Sequence, residues 1–283
     1  MSETRTLTMG DAIREGLTEA ALKHASVIFF AEGVADPSSV YGTLTGLDKH
    51  IAKERIIEMP VAENALTGVA VGAAMMGKRP VLSFHRVEFA LLALEQIVNN
   101  AAKAHYISNG RHSVPLVIRL VIGRGWGQGP EHSQSLEAVF AHFPGLKVVM
   151  PTYPKDAKGM AIAAVEDNNP VIMIEHRWCH YVRGHVPAGY YAEPLDGPRA
   201  VHQGKDLTIV ATSYMTLEAV RAAQQLEKLG FSATVFDLRV LRPLVLDRVF
   251  ASVAETGRLI TVDTGFRRYG IGAEIVEIGR AHV

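Results

Sequence analysis

Residues 115–122, Pro-Leu-Val-Ile-Arg-Leu-Val-Ile, are apolar on both faces of an extended chain apart from one arginine. A strand of that kind belongs inside a sheet covered on both sides, which is the setting of parallel strands flanked by helices. Comparable runs recur at 27–30, 56–59, 80–84, 147–150 and 171–175, with helical patterns between them at 9–23, 45–51, 64–76, 88–107, 136–142 and 154–167. Alternating strand and helix predict an α/β fold built on a parallel sheet. From 178 to 198 the periodicity fades into what reads as a solvated linker. A second unit follows, with strands at 207–211, 233–237 and 259–262 and helices at 217–229 and 246–256. The 283 residues suit two domains, placed here at 1–190 and 191–283.

Composition narrows the function classes. Lys and Arg number 29 and so do Asp and Glu, which argues against a general polyanion binder. The one cysteine, Cys179, rules out an intrachain disulfide framework and suits a reducing cytoplasm. The first residues lead into a polar helix pattern without the apolar core of a signal peptide. The longest apolar stretch, 65–76, is broken by glycine and shorter than the ~20 residues a bilayer requires.

Four features could carry chemistry. Glu63 follows a strand and a proline and opens a helix of small apolar residues. An acid there is commonly no more than a first-turn residue favoured by the helix dipole. It also stands where open α/β sheets place their ligand sites. His132 lies between a glycine-rich loop and a helix that Ser133 could cap, so its imidazole either faces solvent or is available near neutrality. The loop from Gly123 to Pro130 lacks the lysine and the ribose-binding acid of nucleotide motifs and reads as an active-site loop. The tract His176-Arg-Trp-Cys-His180 is too crowded for a good zinc site and reads as part of the linker.

Several stretches in order then resemble one family: Met59-Pro-Val-Ala-Glu63, Gln96-Ile-Val-Asn-Asn-Ala-Ala-Lys103, His132-Ser-Gln-Ser-Leu-Glu-Ala138, Pro144-Gly-Leu-Lys-Val-Val-Met-Pro151 and Asp237-Leu-Arg-Val-Leu-Arg-Pro243. The chain resembles, from about residue 8 to 276, the β subunit of the E1 component of 2-oxo acid dehydrogenases, of the pyruvate dehydrogenase E1β kind. The resemblance implies a transketolase-like pyrimidine-binding domain and then a transketolase C-terminal domain. It implies a thiamine-diphosphate enzyme that decarboxylates a 2-oxo acid and passes the acyl group to a lipoyl group on an E2 component. Glu63 matches the family glutamate that hydrogen-bonds N1′ of the aminopyrimidine, and His132 the histidine near the thiazolium. Glu32, Val61, Val87 and Phe89 fall in the cofactor wall. Asp167 and Asn169 fall where many members hold a monovalent cation such as K⁺.

The family anchors Mg²⁺ and the diphosphate through Gly-Asp-Gly and a following asparagine, and this sequence has no Gly-Asp-Gly. The resemblance therefore implies an E1 α-type partner, an α₂β₂ heterotetramer, and a cofactor held across the interface. Ser83 and Val87 stand where relatives often carry an acid and an aromatic. Three readings stay open beside this one: a split transketolase-like ketol or acyl transferase, a non-catalytic stabilising subunit and a nicotinamide oxidoreductase. The last seven residues, from Glu277 to Val283, read like translated adapter DNA, so the second domain is expected to be incomplete and its sheet to keep an exposed edge.

Overall fold

The computed structural model describes residues 5–34, 36, 38–123 and 127–280. Its strands in chain order are β1 (Arg5–Thr8), β2 (Val27–Ala31), β3 (Ile56–Glu58), β4 (Arg79–Phe84), β5 (Val117–Ile122), β6 (Lys147–Val149) and β7 (Val171–His176). They continue with β8 (Arg183–Val186), β9 (Arg199–His202), β10 (Leu207–Ala211), β11 (Ala233–Asp237), β12 (Val240–Arg242) and β13 (Leu259–Val262). The α-helices are α1 (Met9–Lys23), α2 (Glu63–Met75), α3 (Ala102–Ile107), α4 (Glu137–His142), α5 (Pro154–Glu166), α6 (Tyr214–Glu227), α7 (Asp247–Thr256) and α8 (Ile271–Arg280).

The first sheet has the order β12-β6-β7-β5-β4-β2-β3 and is parallel except for β12. Period-two alternation sorts its side chains onto two faces. Ile28, Phe30, Leu82, Phe84, Ile118 and Leu120 point to a core shared with α2 and the helical stretch after residue 87. Val27, Phe29, Val81 and Val117 point to a second core closed by α1 and α5. Those two helices approach so closely that a Cβ on Gly16 would lie 2.7 Å from the Lys158 carbonyl oxygen. Only glycine fits there.

Three expectations change. Residues 88–107 do not form one regular helix: a 3₁₀ stretch (Val87–Ala93) and a π stretch (Glu95–Ala101) precede α3. The buried Val87, Ala90 and Ala93 recur every third residue, the period of a 3₁₀ face rather than an α face. Residues 45–51 shrink to a 3₁₀ turn, Leu47–Lys49, after Gly46 at φ 76°. The supposed linker is structured: Arg177–Tyr181 is a 3₁₀ turn with Cys179 and His180 buried, and β8 pairs antiparallel with β1.

The second sheet has the order β13-β10-β11-β9, with β9 antiparallel and β13 at an edge. The chain then returns from β11 to lay β12 along the β6 edge of the first sheet, covering backbone groups that would otherwise stand open. Among the described residues no helix is long and apolar enough to cross a membrane.

Strand order also fixes where a ligand fits. From β2 the chain leaves towards β3, and from β4 it leaves the other way, towards β5. Neighbouring strands whose exits diverge leave a crevice at their carboxyl ends, the place where open α/β sheets bind ligands.

Candidate active site

Glu32 follows β2 directly at that crevice. Its Oε1 is buried without a protein partner. Burial, then the nearby Glu63 and Glu58 carboxylates, raise its pKa above the usual carboxylate range. Glu63 is the first residue of α2 and only 5 % exposed. Its place on the first turn puts its charge against the positive end of the helix dipole. Glu58 closes β3, and its Oε1 accepts the backbone N–H of Gly33 at 2.6 Å, fixing the turn after Glu32. Three carboxyl groups thus converge, which is unfavourable among themselves and useful towards a ligand that can share or donate a proton.

The same edge of the sheet carries the imidazole. After β4 the chain runs through His85 to Phe89, whose ring meets His132 edge-on with centroids 5.4 Å apart. The His132 Nδ1 lies 2.7 Å from the Glu131 carbonyl oxygen. A carbonyl can only accept, so Nδ1 holds the proton and a neutral ring keeps its Nε2 lone pair. Glu88 accepts the Gln134 N–H at 2.7 Å and holds the backbone just beyond His132.

The structure therefore brings Glu32 and Glu63 together, and Phe89 and His132 together, on one edge of the sheet. It does not gather every expected residue there. Val61 is 80 % exposed on the strand-to-helix loop. Val87 is fully buried in the core and offers no surface to a ligand, because its side chain fills the space between α2 and the sheet. Asp167 and Asn169 precede β7 and so stand at the opposite, amino-terminal edge. There the Asp167 carboxylate binds Lys147 and accepts from Asn169 N at 2.8 Å. Of the glycine-rich loop, residues 124–126 lie outside the described residues, as do 281–283 of the tail.

Beneath the crevice lies a polar group that pattern reading missed. Arg119 on β5 donates to both carboxylate oxygens of Glu175 at 2.7 and 2.9 Å, to Thr43 Oγ1 at 2.7 Å and to Ser83 Oγ at 3.2 Å. His180 Nε2 meets Glu175 at 2.8 Å. Burial alone would raise the Glu175 pKa, but Arg119 and His180 override it and hold the group down to about 2. The 176–180 tract is therefore not a solvated linker but a turn packed into the interior through His180 and Cys179. Among the described residues no three or more His, Cys, Asp or Glu side chains are grouped to hold a metal ion. Arg177 lies over the Tyr41 ring, 3.9 Å from its centroid. Tyr41 and Val40 both have positive φ, a costly backbone for a β-branched or aromatic residue and a frequent mark of functional turns.

Comparison with known proteins decides the family. Residues 5–179 match the transketolase pyrimidine binding domain and 198–282 the transketolase C-terminal domain. The pyruvate dehydrogenase E1 component subunit beta of Mus musculus is 38 % identical over 273 residues, covering 95 % of this chain and 76 % of that one. The 2-oxoisovalerate dehydrogenase subunit beta of Bacillus subtilis is 37 % identical, covering 96 % and 84 %. The chain belongs to the E1 β-subunit family. Within that family it is also 39 % identical to the beta subunit of acetoin:2,6-dichlorophenolindophenol oxidoreductase from Cupriavidus necator, over 96 % of this chain and 83 % of that one. A solved split-gene transketolase, an inactive β4 tetramer, shares the fold with TM-score 0.79 at 24 % identity, over 97 % and 85 % of the chains.

This E1 β-type chain has one further buried acid near the site, Glu137 at the start of α4. Burial first, and Asp263 second, push its pKa from 4.5 up to about 7. Between those values the native chain keeps a proton that the unfolded chain has lost. This contribution to stability is thus complete below pH 4.5 and lost as pH rises to about 7, amounting to ~3 kcal/mol. Asp237, also pushed up to about 7 by burial, adds a loss of the same sign. In urea melts at pH 5 and pH 8, Glu137→Gln is expected to reduce the difference between the two midpoints. An unchanged difference would show that Glu137 titrates normally.

Proposed function

We propose that the chain is the β-type subunit of a cytoplasmic thiamine-diphosphate-dependent 2-oxo acid dehydrogenase E1 component, an oxidoreductase that decarboxylates a 2-oxo acid and transfers the acyl group to a lipoyl group. The observation that carries this reading is the buried Glu63 carboxyl on the first turn of α2, coupled to Glu32 at the sheet's switch point. The residues fit the aminopyrimidine half of the cofactor. Glu32 Oε1 is buried and unpartnered, and a carboxyl of raised pKa can offer or take a proton there. Bound at this crevice, thiamine diphosphate would supply the carbanion-stabilising chemistry that no side chain provides.

The chain's own residues do the rest. Glu63 would hold the aminopyrimidine half and share a proton with it, its burial keeping water from competing for that bond. Glu32 supports the pair by staying protonated to a higher pH than an ordinary glutamate. His132, with Nδ1–H fixed on a carbonyl, takes and returns a proton at Nε2 during acyl transfer. Phe89 holds the ring by its edge, and Val61 lies exposed at the mouth, where a partner chain would cover it. Val87 packs in the core behind the crevice and gives the cofactor no surface.

Mg²⁺ and the diphosphate fall to an E1 α-type partner in an α₂β₂ assembly, since this sequence has no Gly-Asp-Gly. A lipoyl-bearing E2 component is the acyl acceptor. A monovalent cation at Asp167 and Asn169 would have to share the Asp167 carboxylate with Lys147.

Reconstitution tests the reading. The chain, an α-type partner from a neighbouring frame and a lipoyl domain are assayed with pyruvate, branched-chain 2-oxo acids and acetoin. Turnover of a 2-oxo acid is expected only when both subunits, thiamine diphosphate and Mg²⁺ are present. Turnover without the cofactor, or of acetoin alone, would contradict the proposal.

A further inference from the structure

His132 stands at the end of a 3₁₀ turn (Pro130–His132) and is followed by four residues with no regular structure before α4 begins. Within its own segment the ring has only the Glu131 carbonyl on Nδ1, so what holds the backbone that carries it must come from outside. Glu88 supplies one anchor, accepting the Gln134 N–H at 2.7 Å, next to the Phe89 ring that touches the imidazole. The other anchors come from the second unit. Ser135 Oγ and Thr264 Oγ1 are 2.8 Å apart. Gly265 packs against Glu137 so closely that a Cβ there would lie 2.8 Å from Glu137 Oε1. The turn carrying Thr264 and Gly265 is itself tied down, because Asp263 accepts the N–H of Gly265 at 2.8 Å and of Gly272, at the start of α8, at 3.3 Å.

We propose that the turn at 263–265 is a positioning element for His132, with Thr264 as its main contact through Ser135 and Gly265 as its close-packed stop against Glu137. This rests on the assignment of His132 to acyl transfer given above. The second unit then contributes to the reaction without touching substrate: it fixes the backbone from 135 to 137, and Glu88 and Phe89 fix the residues before it. Glu137 fits the same arrangement. It is a buried acid facing Asp263, and when it carries its proton the two groups do not repel each other and the turn can stay closed. Thr264 and Gly265 are thus positioning residues, acting through His132.

The test uses the assembled α/β enzyme loaded with thiamine diphosphate and Mg²⁺. Thr264→Val keeps shape and removes the hydroxyl bond. Loosening a reacting group by a fraction of an ångström is expected to lower kcat for transfer to a lipoyl domain ~10–100-fold, while the KM for the 2-oxo acid changes by no more than about twofold because ground-state binding is untouched. Thr264→Ser restores the hydroxyl and most of kcat. In a His132→Ala background, Thr264→Val should cost less than about twofold, since the group it positions is gone. If Thr264→Val does not assemble, Ser135→Ala cuts the same bond from the other side. Equal losses in the two backgrounds, or an unchanged kcat in the wild-type background, would overturn the proposal. A His132→Ala enzyme as active as wild type would instead remove the assignment of His132, and the proposal with it.

Discussion

Glu63→Gln is expected to lower turnover of the assembled enzyme ~10²–10⁴-fold, the range for loss of a positioned acid–base group. The amide fills the same space at the start of α2 and still forms hydrogen bonds, so packing against the sheet is preserved. What it cannot do is give up or accept a proton. The loss should therefore appear in kcat with every donor alike, and cofactor affinity should change far less than kcat. Glu32→Gln should act in the same direction with a smaller effect, because Glu32 adjusts the proton affinity of the pair from one residue beyond β2. The observable is the steady-state rate with lipoyl domain as acceptor, alongside a cofactor titration. A Glu63→Gln enzyme within threefold of wild type would show that this carboxyl serves only the helix terminus.

The second large effect is on stability. Arg119→Met should destabilise the protein by ~3–5 kcal/mol, the usual cost of stranding one member of a buried ion pair. Arg119 is 1 % and Glu175 0 % exposed, so no water replaces the lost guanidinium. Four separate segments meet at this group: β4 through Ser83, β5, β7 and the turn holding Thr43. The variant's Glu175 should then titrate well above its native value near 2, as burial takes over from the lost cation. Replacing both partners, Arg119→Met with Glu175→Leu, should recover part of the loss, since the stranded charge is gone as well. Chemical denaturation of the single and double variants reads all of this. A single variant within 1 kcal/mol of wild type would mean that His180 alone satisfies Glu175.

Much of the architecture was legible because burial on both faces leaves a strong mark. Residues 115–122 had to be a central strand, and their neighbours followed from alternation. Glu63 and His132 were legible as positions after strands. Of their partners, Glu32 was legible only through the family resemblance, and Glu58 and Glu88 were not, since they join only once strand order brings β2, β3 and β4 side by side. The two antiparallel additions, β9 and β12, are four and three residues long and too short to carry a period. The 176–180 tract looked polar and was read as solvated. His180 is buried because Glu175, near the end of a wholly buried strand, takes a donor inside the protein, and His176 because it ends that strand and stacks on Tyr214. Ser83, where the resemblance led one to look for an acid, meets Arg119, and the acid arrives from β7 instead. A serine in one strand and a glutamate 92 positions on show no linear signal.

The most direct measurement is the exchange of the thiazolium C2 proton for deuterium in the assembled enzyme without substrate, followed by quench and NMR. With Glu63 facing the aminopyrimidine, Glu63→Gln should slow exchange at least ~100-fold and His132→Ala should leave it within a few-fold of wild type. Exchange in Glu63→Gln at the wild-type rate would contradict that contact, whatever happened to overall turnover.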